Sequence, residues 1–422
     1  MLLIAGCLMP ACIKISNAFT AIPPGIWRAT LELSIDSADI AEEHTKGILP
    51  FNFEVIYITP DSFHVVIRNA DERIVCTDIE FGLNRSIGKD TVRITLPAFG
   101  TYFTGKYEED AIEGYWWDPS RGSQYRIPFR ALHGKDHRFA LQADASYQDF
   151  SGDWKVMFSV ETPSPEPAVL VVNQQQNYAT GTILTETGDY RFLEGSVEDD
   201  RLYLSTFDGS HAYLFEAKLL ADKTLSGVYR SGNHYKTYWI AERNDTFQLG
   251  DPYALTSLKD TLALFTFRFP NTKGDTISLN DARYAGKPKI VTIFGTWCPN
   301  CLDETAFLAD YMKAHPDLGI EIISIAFERH PDPEKALQAV RNYQKHFQIP
   351  WEMLYGGTSK KPHVAESLPL LKDFMSFPTM IFLDRENHVV KIHTGFYGPA
   401  TDKYAAFKEE FEKTIHALIT EH

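Results

Sequence analysis

Cysteine is scarce. Five in 422 residues are too few to staple a chain of this length, which excludes a disulfide scaffold. Basic charge is short as well: 41 Lys and Arg stand against 56 Asp and Glu, a net charge of −15. Without a basic surplus the chain is a poor ligand for phosphate backbones, so no nucleic-acid partner is expected. Beyond the first residues no stretch reaches about 18 uninterrupted apolar positions, which excludes a multispanning helical membrane protein. Nor is there a biased composition. With 44% hydrophobic and 23% charged residues, disorder, collagen and a long coiled coil are excluded. What is abundant is aromatic: 20 Tyr and 28 Phe favour much β structure. At roughly 150 residues per domain the length suggests about three domains. The charge is uneven. From Leu255 onward there are 19 Lys+Arg and 21 Asp+Glu, while 22 and 35 precede it, so the two parts read as different modules.

The start, Met1 to Ile13, is apolar apart from Cys7, Pro10 and Cys12. Such a run reads as the core of a secretory signal over 1–18, with Ser16-Asn17-Ala18 as a small-residue cleavage site. Leu3-Ile4-Ala5-Gly6-Cys7 is similar to the lipobox of bacterial lipoproteins, which would make Cys7 a lipidated residue. No Lys or Arg precedes the run, and a buried N-terminal strand or a tail is the other reading. Either export reading places the chain in the cell envelope, facing the periplasm, with the membrane reached only through an N-terminal anchor. In that oxidising compartment a paired thiol needs a redox explanation.

From about Ile22 to Phe247 short strand-like runs are broken by Gly, Asn and Asp. Thr91-Val92-Arg93-Ile94-Thr95-Leu96 and Arg201-Leu202-Tyr203-Leu204-Ser205 alternate, the pattern of antiparallel sheet with one buried and one wet face. Their spacing suggests a sandwich or barrel. A weak repeat is visible: Gly25-Ile26-Trp27-Arg28 and Gly152-Asp153-Trp154-Lys155 each open a stretch that later carries Gly before apolar or aromatic residues and ends in an aromatic strand. Two β-rich units follow, 22–145 and 146–247, with one larger β domain as the alternative. Pro163, Pro165 and Pro167 suggest a rigid loop. No catalytic constellation is visible in this half, and its aromatics read as core.

After Asp251-Pro252 the pattern changes. Ile290 to Phe294 and Ile320 to Phe327 read as strands buried on both faces. Pro299 to Ala314, Glu334 to Phe347 and Thr401 to Thr420 read as helices, and Thr379 to Leu383 with Val389 to His393 as a hairpin. The fold class is therefore multidomain: antiparallel β units, then an α/β domain over 255–422.

Cys298 and Cys301, spaced C-x-x-C, follow a buried strand and open a helix. Cys298 falls at or near the N-cap, where free N–H groups and the macrodipole favour a thiolate and lower the thiol pKa, to ~3.5–7.5 in such sites. Cys301 sits one turn on, and Pro299 suits the first helical position. Three alternatives stay open: half a zinc site completed by His363 and His393, a structural disulfide, or a pair of inert thiols. Cys76 reads as a buried, inert thiol, with pairing to Cys12 as an alternative.

Gly286-Lys287-Pro288, Ile290 to Cys301, the segment Phe269 to Leu279 and Ser376-Phe377-Pro378-Thr379 together resemble the thioredoxin superfamily in its TlpA/ResA-like form. The resemblance covers roughly 260–420. It implies a thioredoxin-like domain in which Cys298 is the nucleophile and Cys301 resolves the mixed disulfide. Pro378, if cis, would hold the Phe377 backbone open to substrate, and Trp297 would pack beside the site. Glu304 would be an acid near the resolving thiol that raises its pKa or relays a proton; the plainer reading is a solvated acid in a first turn. Position 292, where thioredoxin has an acid, is Thr. Peroxiredoxin chemistry is not expected, because Val291 and Gly295 stand where its motif needs Pro and Thr.

The expected function is thiol–disulfide exchange, with reduction of disulfides in exported proteins, such as apo-cytochrome, by electrons from a membrane thiol donor. No cofactor or metal is expected beyond the Cys298–Cys301 pair itself. An oxidase or isomerase is a further possibility. The alternative from another class is an envelope binding or scaffold lipoprotein whose acidic β half carries the function.

Overall fold

The computed structural model describes residues 22–34, 43–60, 62–84, 88–142 and 145–420. The 1–18 signal, Cys7 and Cys12 lie outside the described residues.

Two antiparallel meanders fill the N-terminal half. In the first, nine strands run from Gly25–Glu32 to Arg126–His133; chain neighbours pair, and the last strand returns to the first. The ring is interrupted between Glu72–Cys76 and Asp78–Asn84, which Thr77 joins as a corner. In the second, strands from Gly152–Phe158 to Tyr235–Arg243 close completely, because Glu166–Gln175 pairs with Tyr178–Thr185 and the last strand with the first. The topology thus recurs, and so does local detail. Gly25 and Gly152 open the first strands at φ +102° and +103°. Two residues later each buried Trp indole donates to a carbonyl four positions back, Trp27 to Pro23 (3.0 Å) and Trp154 to Phe150 (2.9 Å). Aromatic and aliphatic side chains fill both interiors, as narrow barrels require.

The strand Arg201–Phe207 departs from its alternating pattern. Both faces are buried, because Tyr203 and Phe207 pack into the first meander's core while Ser205 donates to the Pro50 carbonyl at 2.6 Å. Its polar positions are dry because they meet a second barrel instead of water. The triple-proline stretch is a loop only in part: Pro167 belongs to the strand Glu166–Gln175 and pairs with Met157.

The C-terminal region builds a five-stranded sheet in the order Glu352–Thr358, Glu321–Glu328, Lys289–Phe294, Thr379–Leu383, Val389–Thr394, the first three parallel and the rest antiparallel. Helices α1 (Pro299–Ala314), α2 (Pro333–His346), α3 (Lys361–Ser367) and α4 (Lys403–Thr420) cover it. Alternate residues of the buried strands serve opposite layers. Ile290, Ile322 and Met380 meet Phe307 of α1 and Phe411 of α4, whereas Val291, Ile293 and Ile325 cluster with Val340 and Tyr343 of α2 and Val364 of α3. Each such side chain contributes ~1.5–3 kcal/mol through burial. Asp332 caps α2 by accepting from Glu334 N at 2.9 Å, with Pro333 at the first helical position. The 269–279 segment contains a short hairpin, Arg268–Pro270 against Thr276–Ser278.

Candidate active site at the Cys-Pro-Asn-Cys turn

The buried central strand Lys289–Phe294 leads straight into the start of α1, so its C-terminal end delivers the cysteines to the helix N-terminus. Cys298 is the N-cap, and its Sγ accepts from the Cys301 amide at 3.2 Å. The two cysteines form a disulfide with Cα atoms 5.2 Å apart. Sγ of Cys298 lies 3.7 Å from the Phe377 carbonyl oxygen, and the Phe377–Pro378 bond is cis. The Trp297 ring stands edge-on to Phe377 at 5.4 Å, its indole donating to the Phe327 carbonyl at 3.0 Å. The structure therefore brings Trp297, Cys298, Cys301, Phe377 and Pro378 together.

Glu304 is not solvated. It is 1% exposed, and its Oε1 has no hydrogen-bond partner among the described residues. Burial pushes its carboxyl well above the usual range. On the same helix turn, the Cys301 carbonyl accepts from the Tyr343 hydroxyl at 3.1 Å. A second acid, Glu328, escaped the sequence reading because it looks like the polar end of an apolar strand. It accepts from the Thr296 amide and hydroxyl, both at 2.9 Å, next to Trp297. Burial raises it to about 7, against the pull of those two bonds.

The second β unit reaches the site, although nothing catalytic was legible there. Its turn 187–191 lies on the Pro299-Asn300 turn. The Asn300 carboxamide donates to the Asp189 carbonyl at 3.0 Å, and Arg191 donates to the Pro299 carbonyl at 3.3 Å. Arg191 also pairs with Asp303 of α1 at 2.7 Å, with Glu72 of the first meander, and at 3.9 Å with Asp208. Burial opposes the Arg191 charge, but the three carboxylates outweigh it and hold the guanidinium above its ordinary value. Asp303 is raised to about 7 by burial, Arg191 opposing and Asp189 and Glu72 adding. On the other flank Arg329 lies 3.9 Å over the Trp297 ring, lowered to about 10 by burial and by Arg121 of the first meander.

The remaining candidates lie elsewhere. His363 contacts the Gly356 carbonyl at 3.3 Å, and His393 packs on Tyr253 and Phe407, so the zinc alternative gains no ligand set among the described residues. Cys76 is free and buried, and burial pushes its thiol up to about 12. Among the described residues no helix is long and apolar enough to cross a membrane.

Residues 262–392 match the AhpC/TSA family model. Over 129 residues the chain is 26% identical to the thiol-disulfide oxidoreductase ResA of Bacillus subtilis (strain 168). That alignment covers 31% of this chain and 64% of ResA, just under two thirds of the relative's length. Among solved structures, a thioredoxin-family thiol:disulfide interchange protein from Chlorobium tepidum TLS shares 21% identity, covering 37% of this chain and 94% of its own, with a TM-score of 0.29. A DsbF homologue from Corynebacterium diphtheriae shares 19%, covering 41% and 99%, with a TM-score of 0.30. The family model and the ResA match support a TlpA/ResA-like thiol–disulfide oxidoreductase region in the C-terminal part of the chain.

Proposed function

From that TlpA/ResA-like C-terminal region, we propose that the protein reduces disulfides of exported proteins through Cys298 and Cys301. The observation that carries the reading is the Cys301 amide aimed at Cys298 Sγ at the N-terminus of α1, an arrangement that favours thiolate over thiol. In the reduced enzyme, the Cys298 thiolate attacks one sulfur of the substrate disulfide. A mixed disulfide forms, and the other substrate sulfur leaves as thiolate and takes up a proton. Cys301, giving its proton to a base, then attacks Cys298 Sγ. The second substrate thiolate departs, leaving substrate reduced by two electrons and the Cys298–Cys301 disulfide in place. A dithiol donor at the membrane restores the enzyme by the same exchange in reverse. Glu304, buried in the second turn of α1 three residues after Cys301, is the group proposed to exchange a proton with Cys301. Trp297, Phe377 and Pro378 frame the sulfur that substrate meets. The pair is its own redox centre, so the chemistry asks for no further cofactor.

The same reading sets the protein in the cell envelope, carried there by the apolar start and tethered through lipidated Cys7. Trapping tests it. In Cys301→Ser the mixed disulfide has no resolving thiol, so envelope proteins should accumulate in covalent complexes through Cys298 and be released by dithiothreitol. Recovery of none, with the variant folded and reduced, would sink the proposal.

A further inference from the structure

The dithiol is roofed. Cys298 is 4% and Cys301 0% exposed within the core of the C-terminal sheet, and the β half lies on the Pro299-Asn300 turn between them. Three loops form the mouth of the site: the Cys-Pro-Asn-Cys turn, the Phe377-Pro378 loop, and loop 395–398, whose Gly395 amide donates to the Pro378 carbonyl at 2.8 Å. The turn 187–191 touches the first and third. Gly188 makes a parallel bridge to Phe396, and Asp189 accepts from the Gly398 amide at 2.6 Å. The fit leaves no slack: a Cβ on Gly188 would stand 2.6 Å from the Asn300 carboxamide, and one on Gly395 would stand 2.6 Å from the Thr187 backbone. The fastening is electrostatic, since Arg191 ties the Pro299 carbonyl and Asp303 of α1 to Glu72 and Asp208 of the β half. On the opposite flank, beside Trp297, a cleft of about 490 Å³ stays open between Leu96, Phe99 and Ser120 of the first meander and Trp297, Glu328 and His330.

We propose that turn 187–191, latched by the Arg191–Asp303 ion pair, is a specificity gate. It admits narrow disulfides, small molecules or single extended strands entering by the Trp297 cleft, and it shuts out folded protein surfaces. Arg191 is a positioning residue here, since it holds the turn and touches no reacting sulfur. The inference rests on the reading of Cys298–Cys301 as an exchange site and narrows its substrate class. A folded client cannot reach Cys298 without breaking the latch; removing Arg191 strands three buried carboxylates, and removing the Asp303 charge cuts the ion pair to α1 while Arg191 keeps Glu72 and Asp208, so both disfavour the closed arrangement.

The test compares two substrates in the full chain with dithiothreitol as donor: oxidised glutathione, which is small, and insulin, which is folded. The native chain should turn over glutathione in preference to insulin. Arg191→Met and Asp303→Asn should each raise the insulin-to-glutathione rate ratio by about tenfold or more, the scale expected when a closed population is released. Because a ratio is read, a general change in sulfur reactivity cancels. A ratio within about twofold of native in both variants, with cooperative melting retained, overturns the gate, as does native turnover of insulin as fast as glutathione. A second readout is independent of turnover. In the reduced chain, iodoacetamide should alkylate Cys298 readily while a polyethylene-glycol maleimide is slow, and the difference should shrink in both variants. If neither substrate is reduced, the exchange reading fails, and the alkylation ratio alone decides the gate: equal reagent access in native and variant chains overturns it.

Discussion

Three acids near the site share one electrostatic condition. Glu304 is raised well above its usual range by burial, and Glu328 and Asp303 are raised to about 7 by the same cause. Each therefore binds its proton more tightly folded than unfolded, where the values are 4.5 for Glu and 3.8 for Asp. Below the unfolded values these groups take nothing from native stability. As pH rises past them the unfolded chain ionises first, and each group costs about 1.4 kcal/mol per pH unit until its folded pKa is reached. Stability should accordingly fall between about pH 4.5 and 7, and Glu304→Gln should flatten that slope by one proton; urea unfolding at several pH values measures it. The same variant separates relay from filler. A relay predicts that the pH–rate profile of reduction changes shape and that the rate at neutral pH drops by about 10²-fold. An unchanged profile with only a shifted melting curve leaves Glu304 as a buried structural acid. Its place on the helix face of Cys301 was legible from the i, i+3 spacing, although it falls in the second turn of α1 and not the first. Its burial was not, because that depends on what packs over α1 rather than on the helix itself.

At the scale of the element, the start of α1 was read closely because every signal for it is local: an apolar strand, Cys as N-cap, Pro299 in the first turn, and His315 before Pro316 at the end. Those features predict that the reduced Cys298 titrates below the ordinary thiol value of about 8.5 when thiolate absorbance is followed against pH in a chain with Cys7, Cys12 and Cys301 changed to Ser, which leaves buried Cys76 as a silent background. Titration at or above the ordinary value would remove the basis for Cys298 as nucleophile. Other elements were illegible for physical reasons. Glu352–Thr358 carries Gly356-Gly357 in the middle of a strand, and α3 spans seven residues with a proline at its start, so neither has enough periodicity to announce itself. Arg201–Phe207 alternates like a half-wet strand, yet Ser205 and Tyr203 face another barrel. Alternation reports polarity along a strand and says nothing about whether the polar face meets water or a neighbour's carbonyls.

For the whole molecule, what joins the parts is a few buried arginines reaching across long stretches of chain. Arg191 contacts a carbonyl 108 residues away, so on the page it is an ordinary charge in a turn. Arg138 does the equivalent between the two meanders. It is 4% exposed, donates to the Arg68 carbonyl at 2.6 Å and the Ser205 carbonyl at 3.2 Å, and pairs with Glu194 at 3.1 Å. The repeat announced by Trp27 and Trp154 could be seen in the sequence because each copy solves the same local problem of opening a barrel strand. The docking of one copy on the other could not, because it lies in single polar side chains that follow no period. Arg138→Met keeps much of the stem and removes the charge, so it leaves the Arg68 and Ser205 carbonyls without this donor and Glu194 with the Ala70 amide but no counter-charge from the arginine. The expected cost is about 3–5 kcal/mol, the range for breaking one partner out of a buried pair. If the meanders unfold together because this contact couples them, equilibrium urea unfolding of the native chain should show their tryptophan signals moving in one transition, and Arg138→Met should split them into two. A single transition at the native midpoint in the variant would show that Tyr203 and Phe207, packed into the first core, couple the barrels without the arginine.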